Sequence, residues 1–366
     1  MENDISRIDK NLAVCQQFSV TDCIFHDVTD APFRLYGLCG HEKGSAFRRV
    51  PEVIAQASGE KISRLSTRTA GGRVRFTTNS EYIAIQCEMP SVTHFSHMSL
   101  LGTSGFDMYV TQNGISTFAK SFVPPYNMTD GYASIHHFGT RALREITICF
   151  PSYNNVDALY IGLEATAEIG SHREYTHQKP LVFYGSSITQ GACASRPGNA
   201  YPALVSQRLD WDYINLGFSG TPMGADAMVN YISGLSMGAF VYDFDYNAPS
   251  IEYLENTHAS VFRRIRQAQP ELPVIIVSAA DAPVLTDIEA YRQVAYRTYL
   301  QALSEGDKYV QFVDGALLYD GVEDVCRVDL VHPSDLGMFR TAEAIIDCLS
   351  MQKTAEKNIK KNIFRK

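Results

Sequence analysis

The sequence lacks any apolar run close to the roughly 20 residues that a membrane-spanning helix requires. Residues 1–7 are mostly polar and acidic, without the basic and then apolar pattern of a secretory signal. These two absences predict a cytoplasmic protein that has no membrane as a partner.

Paired cysteine motifs are also missing. The eight cysteines are scattered and form no Cys-x-x-Cys pair, which argues against a zinc ribbon or a disulfide framework. Cys87, Cys149 and Cys348 fall in apolar segments, where a free thiol packs like a small hydrophobic side chain. We therefore expect reduced core cysteines and no bound metal.

A net positive charge is absent as well, since 32 basic and 40 acidic residues give a net charge of −8. That balance argues against a nucleic-acid partner, because such binding depends on contacts with phosphates. The exception is the tail 351–366, in which six basic residues accompany one glutamate. Ile359 and Ile363 are four residues apart, so the tail either docks on the body as a helix or is a solvated terminus.

The chain length of 366 residues is too great for one typical core and predicts two domains. In the first, residues 1–177, short apolar segments such as Arg73–Phe76 and Tyr82–Cys87 are separated by turns. Asn113-Gly114 between two further segments is a strong hairpin signal. This domain is predicted to be a β-sandwich or jelly roll.

The pattern changes in residues 178–350, where strands alternate with helices and predict a doubly wound α/β sheet. The first strand, Leu181–Tyr184, is apolar throughout, as expected for a sheet covered on both faces. Asn199 is predicted to cap the helix that follows. The later strands are Tyr213–Leu216, Ala239–Tyr242, Val274–Val277 and Tyr309–Val313, and helices are predicted near 225–233, 256–268, 287–304 and 334–350.

Four loops of this second domain place polar side chains and glycines after predicted strands, at the sheet edge where such folds bind ligands. They are Ser186-Ser187, Asn215–Gly220, Asp243–Asn247 and Asp329–His332. Asp329 and His332 are three residues apart, so the carboxylate can accept one imidazole N–H and leave the other nitrogen to deprotonate a serine. The alternative is ordinary turn chemistry, in which serine and glycine are common.

In order and spacing, these loops resemble the sequence blocks of the SGNH (GDSL-type) hydrolases. The matching residues are Ser187, Gly220, Asn247 and His332, with Asp329 completing a triad. The resemblance implies a flavodoxin-like parallel sheet sandwiched by helices, with Ser187 as the nucleophile. It also implies an oxyanion hole formed by Ser187, Gly220 and Asn247, and acyl transfer without a metal or organic cofactor.

The first domain resembles the jelly-roll or β-sandwich domain that precedes one branch of these hydrolases. Its Gly-x-Asp-Leu-Tyr motif appears here as Gly-Phe-Asp-Met-Tyr at Gly105–Tyr109, and Pro151–Asn154 also fits. The resemblance therefore covers nearly the whole chain.

Two positions depart from the family pattern. Ser186 stands where the family has aspartate, which leaves Ser186 as a second choice of nucleophile although Ser187 is in register with the motif. The third block lacks the usual Gly-x-Asn-Asp, so Asp243 or Asp245 could take the place of Asn247. Asparagine is the better donor, because a carboxylate would repel a developing oxyanion.

The remaining polar candidates are weaker. Ser186 and Asp281 are predicted substrate contacts, with a turn or capping role as the alternative for Asp281. His94 and His97, on a predicted strand, would point to opposite faces and could not share a metal ion. Arg48 and Arg49 are expected to form a structural clamp, with part of an acidic-ligand site as the alternative. Trp211 is expected to be a packing residue in a loop rather than a platform for a sugar. Loop positions are expected for His136, His137, His172 and His177. His172 and His177 could also line a cleft between the domains.

The two-domain layout is similar to that of bacterial carbohydrate acetyl esterases. The resemblance implies removal of acetyl groups from acetylated oligosaccharides, with manno- or xylo-oligosaccharides as the leading substrates. Two alternatives remain: an acyltransferase that uses the same triad, and a carbohydrate-binding protein without catalysis. Self-association into a homo-oligomer is left open by the sequence.

Overall fold

The computed structural model describes residues 20–40, 44–284 and 287–363, with side chains described as far as Ser350. The first part of the chain is built of antiparallel strands and three short helices. The strands are β1 Cys23–Asp27, β2 Arg34–Tyr36, β3 Arg73–Thr78, β4 Tyr82–Glu88, β5 Phe106–Gln112, β6 Ile115–Phe122, β7 Gly131–His137, β8 Arg144–Cys149, β9 Ala158–Glu164 and β10 Ile169–Gly170. The helices are α1 Glu52–Ala57, α2 Glu60–Leu65 and α3 Leu100–Ser104.

These strands form two sheets, one in the order β1-β9-β4-β7 and the other in the order β10-β3-β8-β5-β6, with β2 paired to β3. Alternate side chains of both sheets point into one shared core, for example Ile83 and Ile85 from β4 and Val74 and Phe76 from β3. The predicted β-sandwich is confirmed. The hairpin predicted at Asn113-Gly114 joins β5 to β6, with Asn113 in the left-handed region at φ 52°.

The second part of the chain is an α/β unit with five parallel strands. The strands are β11 His177–Gly185, β12 Trp211–Gly217, β13 Ala239–Tyr242, β14 Val274–Val277 and β15 Val310–Val313. The helices are α4 Ser187–Gln190, α5 Tyr201–Leu209, α6 Asp226–Gly234, α7 Ile251–Ala268, α8 Ile288–Ser304 and α9 Asp335–Ile363. The strand order β12-β11-β13-β14-β15 is that of a flavodoxin-like sheet, as predicted.

Both faces of this sheet are covered, which explains the unbroken apolar run in β11. Val182 and Tyr184 point into a core that includes residues of α6, α7 and α8. Leu181 and Phe183 point into a second core that includes residues of α5 and α9. The chain order reverses at β11, so the loop after this strand opens into the crevice where such sheets bind ligands.

Several local predictions in this part of the chain were wrong. Asn199 does not cap α5 with its side chain, because its amide donates to Ser195 and to Asp335 at the start of α9. Trp211 is the first residue of β12 and not a loop residue, since β11 begins early enough for His177 to pair with it. The two rings contact each other with centroids 4.3 Å apart, so the predicted packing role of Trp211 fits its position.

The cysteines, the helix lengths and the C-terminal helix can each be compared with the sequence predictions. Among the described cysteines, seven are free thiols and five of them are buried; Cys15 lies outside the described residues. No helix in the described part of the chain is long and apolar enough to cross a bilayer. The backbone of α9 continues to Ile363. The side chains of residues 351–366 lie outside the described ones, so the predicted docking of the tail stays a prediction.

Candidate active site

The turn after β11 presents one of its two serines. Ser186 is fully buried, and its hydroxyl accepts the Ile188 N–H at 3.1 Å, which caps the first turn of α4. Ser187 is the first residue of that helix and keeps 8% of its surface exposed. Glycine is required at Gly185, because a Cβ there would overlap the Thr189 hydroxyl. The geometry therefore favours Ser187 over Ser186 as the reactive hydroxyl.

Ser187, His332 and Asp329 form a continuous hydrogen-bonded chain. Ser187 Oγ lies 3.0 Å from His332 Nε2, and His332 Nδ1 lies 2.8 Å from Asp329 Oδ2. A carboxylate can only accept, so Nδ1 carries the proton and Nε2 is left to accept from the serine hydroxyl. The loop after β15 thus carries the imidazole to the turn after β11, although the two residues are 145 positions apart.

The carboxylate of Asp329 is held in its ionised form. Burial by itself would raise its pKa, but hydrogen bonds from the His332 backbone N–H, the imidazole and the Val331 N–H lower the pKa to about 2. Its Oδ1 accepts both backbone N–H groups, at 2.6 Å from His332 and 2.8 Å from Val331. One oxygen therefore fixes the turn, and the other remains available to orient the imidazole.

The predicted oxyanion donors belong to Ser187, to the loop after β12 and to the loop after β13. In the hydrogen bonds described for this structure, the backbone N–H groups of Ser187 and Gly220 have no acceptor. Gly220 has φ +58°, a conformation that favours glycine, whereas the nearby Gly217 N–H is occupied by the side chain of Asn215. Asn247 donates one amide N–H to the Phe218 carbonyl at 3.1 Å. This contact fixes Asn247 beside the loop Gly217–Gly220, hereafter the glycine loop.

Asp243 and Asp245, the alternatives to Asn247, are both fully buried below the sheet edge. Asp243 accepts hydrogen bonds from Thr189 and Tyr201, and Asp245 accepts the Ala279 N–H at 2.7 Å. Burial raises the pKa of Asp243 to about 6. Both carboxyl groups are buried and already accept hydrogen bonds from these neighbours, which favours Asn247 as the candidate donor.

Asp245 predicts a pH-dependent cost to stability. Burial, followed by the neighbouring charge of Asp243, raises its pKa from the ordinary range of a carboxyl group to about 7. The folded state therefore holds this proton more tightly than the unfolded state, and stability is lost as the pH rises towards 7. Asp245→Asn should raise the free energy of unfolding relative to the wild type, and the gain should be larger at pH 8 than at pH 5 by about 2–3 kcal/mol.

Urea unfolding of both proteins at the two pH values measures this difference. Asp320→Asn, at an exposed position, is the control and should show no such change. An equal effect of Asp245→Asn at both pH values would show that Asp245 does not titrate between them.

The first domain holds the catalytic loops by their backbones. Tyr153, within the predicted motif Pro151–Asn154, donates its hydroxyl to the Ser187 carbonyl at 3.1 Å. Asp107 of the Gly105–Tyr109 motif is fully buried and accepts from Arg196 at 2.9 Å and from the Gly198 N–H at 2.8 Å. Both motifs of the first domain thus contact the second domain near the site.

Arg49 makes the most extensive of these contacts. Its guanidinium is 1% exposed and lies over the Phe218 ring, 4.6 Å from the ring centroid. Four main-chain carbonyls accept its N–H groups: those of Leu65 and Arg68 in its own domain, and those of Asn215 and Gly217 at the end of β12. The predicted clamp role of Arg49 matches this position.

Replacement of Arg49 should therefore damage both stability and turnover. Arg49→Met leaves buried carbonyls without donors and should lower the free energy of unfolding by about 3–5 kcal/mol. Arg49→Lys restores some of the donors and should fall between Met and the wild type. Because two of the carbonyls belong to the glycine loop and its strand, kcat should fall while KM changes little.

Urea unfolding and steady-state kinetics of the full chain measure both effects. Arg48→Met is the matched control, since Arg48 makes a partly exposed ion pair with Glu52 that is worth less than about 1 kcal/mol. Equal losses at positions 48 and 49 would contradict a specific role for Arg49.

Other predicted site residues lie elsewhere. Ser186 has no exposed surface, so the predicted substrate contact is not available to it. The carboxylate of Asp281 pairs with Arg292, in keeping with the turn role that was its alternative. His172 is buried and contacts Arg75, so it does not line an open cleft. His136 and His137 belong to β7 and are not loop residues.

The segment that contains His94 and His97 was wrongly predicted as a strand. Both residues lie in the loop between β4 and α3, so alternation of faces does not apply to them. Phe95 packs on Tyr153 with ring centroids 5.4 Å apart, which turns the loop towards the second domain. His97 is thereby placed next to His332, at 5.5 Å between ring centroids. No pattern in the sequence indicated that His97 would lie next to His332.

Two family models match the chain over most of its length. Residues 178–350 match the GDSL-like lipase/acylhydrolase family, and residues 23–169 match the N-terminus of SGNH-hydrolase-type esterases. No curated protein sequence matches the chain.

Solved structures share the fold over nearly the whole chain. A protein of Bacteroides ovatus assigned as a GDSL-like lipase has a TM-score of 0.81 at 24% identity, and the match covers 90% of this chain and 98% of that one. A salicylyl-acyltransferase from a tetracycline biosynthetic pathway has a TM-score of 0.72 at 18% identity, with coverages of 91% and 98%. An acetyl xylan esterase from the rumen bacterium Butyrivibrio proteoclasticus has a TM-score of 0.57 at 12% identity, with coverages of 91% and 99%.

Proposed function

Since residues 178–350 belong to the GDSL-like lipase/acylhydrolase family and residues 23–169 to the N-terminal part of SGNH-type esterases, we propose that the chain is a serine esterase that removes acetyl groups from carbohydrate. The observation that carries the proposal is the hydrogen-bonded chain from Ser187 through His332 to Asp329, at the carboxyl edge of a parallel sheet. This is the arrangement that activates a serine for attack on a carbonyl.

In the proposed reaction, His332 Nε2 takes the proton of Ser187 as Oγ attacks the ester carbonyl, while Asp329 stabilises the imidazolium. The oxyanion accepts hydrogen bonds from the backbone N–H groups of Ser187 and Gly220 and from the free amide N–H of Asn247. Each such donor is typically worth about 3–4 kcal/mol of barrier. His332 returns the proton to the leaving sugar hydroxyl, and water then releases acetate by the reverse sequence.

The more specific part of the proposal is that the substrate is an acetylated carbohydrate. It is supported by similarity in fold to the acetyl xylan esterase of Butyrivibrio proteoclasticus. Fold alone does not determine substrate, so the sugar has to be identified by experiment. Acetylated manno- or xylo-oligosaccharides are the first candidates.

Acetate release is the direct test. The purified chain is incubated with acetylated fragments of mannan, xylan and pectin, and acetate is measured against a p-nitrophenyl ester series of increasing acyl length. We expect release from mannan or xylan fragments and a preference for the acetyl ester. Activity confined to long-chain acyl esters would contradict an acetyl esterase.

An acyltransferase is the second candidate, because the salicylyl-acyltransferase superposes with the higher TM-score of 0.72. The same acyl-enzyme would then be attacked by an acceptor hydroxyl instead of water. Product analysis with a competing alcohol separates the two reactions: a transferase yields mainly the new ester, and a hydrolase yields mainly acetate. Carbohydrate binding measured by calorimetry without any acyl release would instead support the third alternative, a binding protein without catalysis.

A further inference from the structure

His97 adds an imidazole from the first domain to the rim of the active site. Its side chain is exposed, and its ring lies 5.5 Å from that of His332 with an angle of 32° between the ring planes. The reaction proposed above gives His97 no role. Two neighbouring imidazoles, one of them exposed, can ligate one metal ion, because neutral imidazole is a frequent metal ligand.

Cys193 approaches the same point from the second domain. It follows α4 in the left-handed conformation, with φ 63°, and its side chain is buried. Its thiol donates to the backbone carbonyl of His97 at 3.3 Å, which ties the two segments together. The sequence placed this cysteine among the core thiols, yet the structure places it beside the triad.

The potential ligand atoms of His97, Cys193, Asp329 and His332 all lie within 4.8 Å of one another. A tetrahedral Zn²⁺ with bonds of about 2.0–2.3 Å holds its ligand atoms about 3.4–3.7 Å apart, so small side-chain rotations suffice to close the site. We propose that these four residues bind one Zn²⁺ ion, and that this binding switches off the esterase. The inhibitory part rests on the proposed function, whereas the binding part does not.

Inhibition follows from the geometry of His332. Its Nε2 faces Ser187 and its Nδ1 faces Asp329, so both ring nitrogens already serve the triad. A metal at Nε2 removes the base that accepts the serine proton, and a metal at Nδ1 displaces the carboxylate that orients the ring. Either mode of coordination therefore stops acyl transfer.

The donor set selects the metal. Cys193 would release its proton to solvent on binding, and the resulting set of two imidazoles, one thiolate and one carboxylate suits zinc and similar transition metals, whereas Mg²⁺ and Ca²⁺ prefer oxygen ligands. The loop that carries His97 and the turn that carries Cys193 belong to different parts of the fold, so the ion would also bridge the two domains. Zinc should therefore bind and inhibit, and Mg²⁺ at the same concentration should do neither.

Binding is tested first, without reference to activity. Titration calorimetry of tag-free, EDTA-dialysed full-length chain with ZnCl₂ should give one site per chain. Co²⁺ in place of zinc should show the thiolate charge-transfer band, and Cys193→Ser should abolish that band. His97→Ala should weaken zinc binding about tenfold or more. His94→Ala is the matched control, because His94 is exposed on the same loop and contacts Tyr126 instead of the triad.

Inhibition is then measured as p-nitrophenyl acetate hydrolysis against zinc concentration, with reversal by EDTA. His97→Ala and Cys193→Ser should keep the basal rate and require about tenfold more zinc for half inhibition. His94→Ala should behave like the wild type. Absence of a calorimetric site, or identical zinc binding by wild type and both ligand variants, would overturn the metal site. Zinc binding by a chain that hydrolyses no ester would overturn the proposed function and leave the metal site standing.

Discussion

Ser187→Ala should lower kcat for p-nitrophenyl acetate on the order of 10⁵–10⁶-fold, because it removes the only atom that forms the acyl-enzyme. The Oγ of Ser187 is the one hydroxyl of the turn that meets the imidazole, at 3.0 Å. The residual rate should come from the oxyanion donors and from substrate binding. Folding should be unaffected, since the change removes one oxygen at a site that is partly open. Initial rates measured at saturating substrate give the comparison.

Ser186→Ala is the matched control for this experiment. Ser186 caps α4 through its contact with the Ile188 N–H, so the change should cost about 1 kcal/mol of stability and leave kcat within about tenfold of the wild type. A Ser187→Ala protein with the wild-type rate would eliminate this serine as the nucleophile. A large loss with Ser186→Ala alone would shift the assignment by one position.

The proximity of Ser187, His332 and Asp329 could be predicted from the sequence because each of these residues carries a local signal. Asp329 and His332 are three residues apart on one turn, and that spacing alone brings the carboxylate to the imidazole. Ser187 follows an apolar strand that ends at a glycine, which is the point where a parallel sheet presents side chains. Alternation of strands and helices then places both segments at the same edge. These local signals indicated the three positions, whereas the catalytic roles predicted for them came from the resemblance to the SGNH hydrolases.

The contacts made by the first domain could not be found in this way. Arg49 lies 166 residues from Asn215, and nothing in the composition of either segment indicates that one carries donors for the other. The loop around His94 and His97 was wrongly predicted as a strand, and its sequence gives no signal of where it lies in the fold. Its position is set by Phe95 on Tyr153, a tertiary contact that leaves no local pattern. Asn199 was misread for the same reason, since its partner Asp335 is 136 positions away.

Three residues of the first domain hold backbone groups of the catalytic loops. Arg49 binds carbonyls of the glycine-loop strand, Lys61 donates to the Gly220 carbonyl, and Tyr153 donates to the Ser187 carbonyl. A carbonyl fixed in this way also fixes the plane of the peptide bond that follows it. These peptides carry the N–H groups of Phe218, Thr221 and Ile188, so the first domain restrains the chain next to the proposed oxyanion donors without binding the peptides that carry them. The first domain therefore supplies none of the triad residues and yet contacts the Ser187 turn, the glycine loop and the ring of His332.

Asp329→Asn should lower kcat on the order of 10³–10⁴-fold while the protein stays folded. The asparagine carbonyl can still accept the backbone N–H groups of Val331 and His332, so the turn is preserved. The amide N–H₂ then faces Nδ1 of His332 where a carboxylate stood. Because an amide donates, Nδ1 becomes the acceptor and the proton moves to Nε2, which can no longer take the proton of Ser187.

A kinetic loss of this size, paired with only a modest fall in the unfolding midpoint from the lost carboxylate, distinguishes this tautomer effect from simple damage to the loop. Asp324→Asn, an exposed carboxylate of the same loop, should leave both quantities at wild-type values. Retention of activity within about tenfold in Asp329→Asn would mean that His332 keeps its tautomer without the carboxylate. The triad would then reduce to a serine–histidine pair, with the Asp329 turn serving only to place the ring.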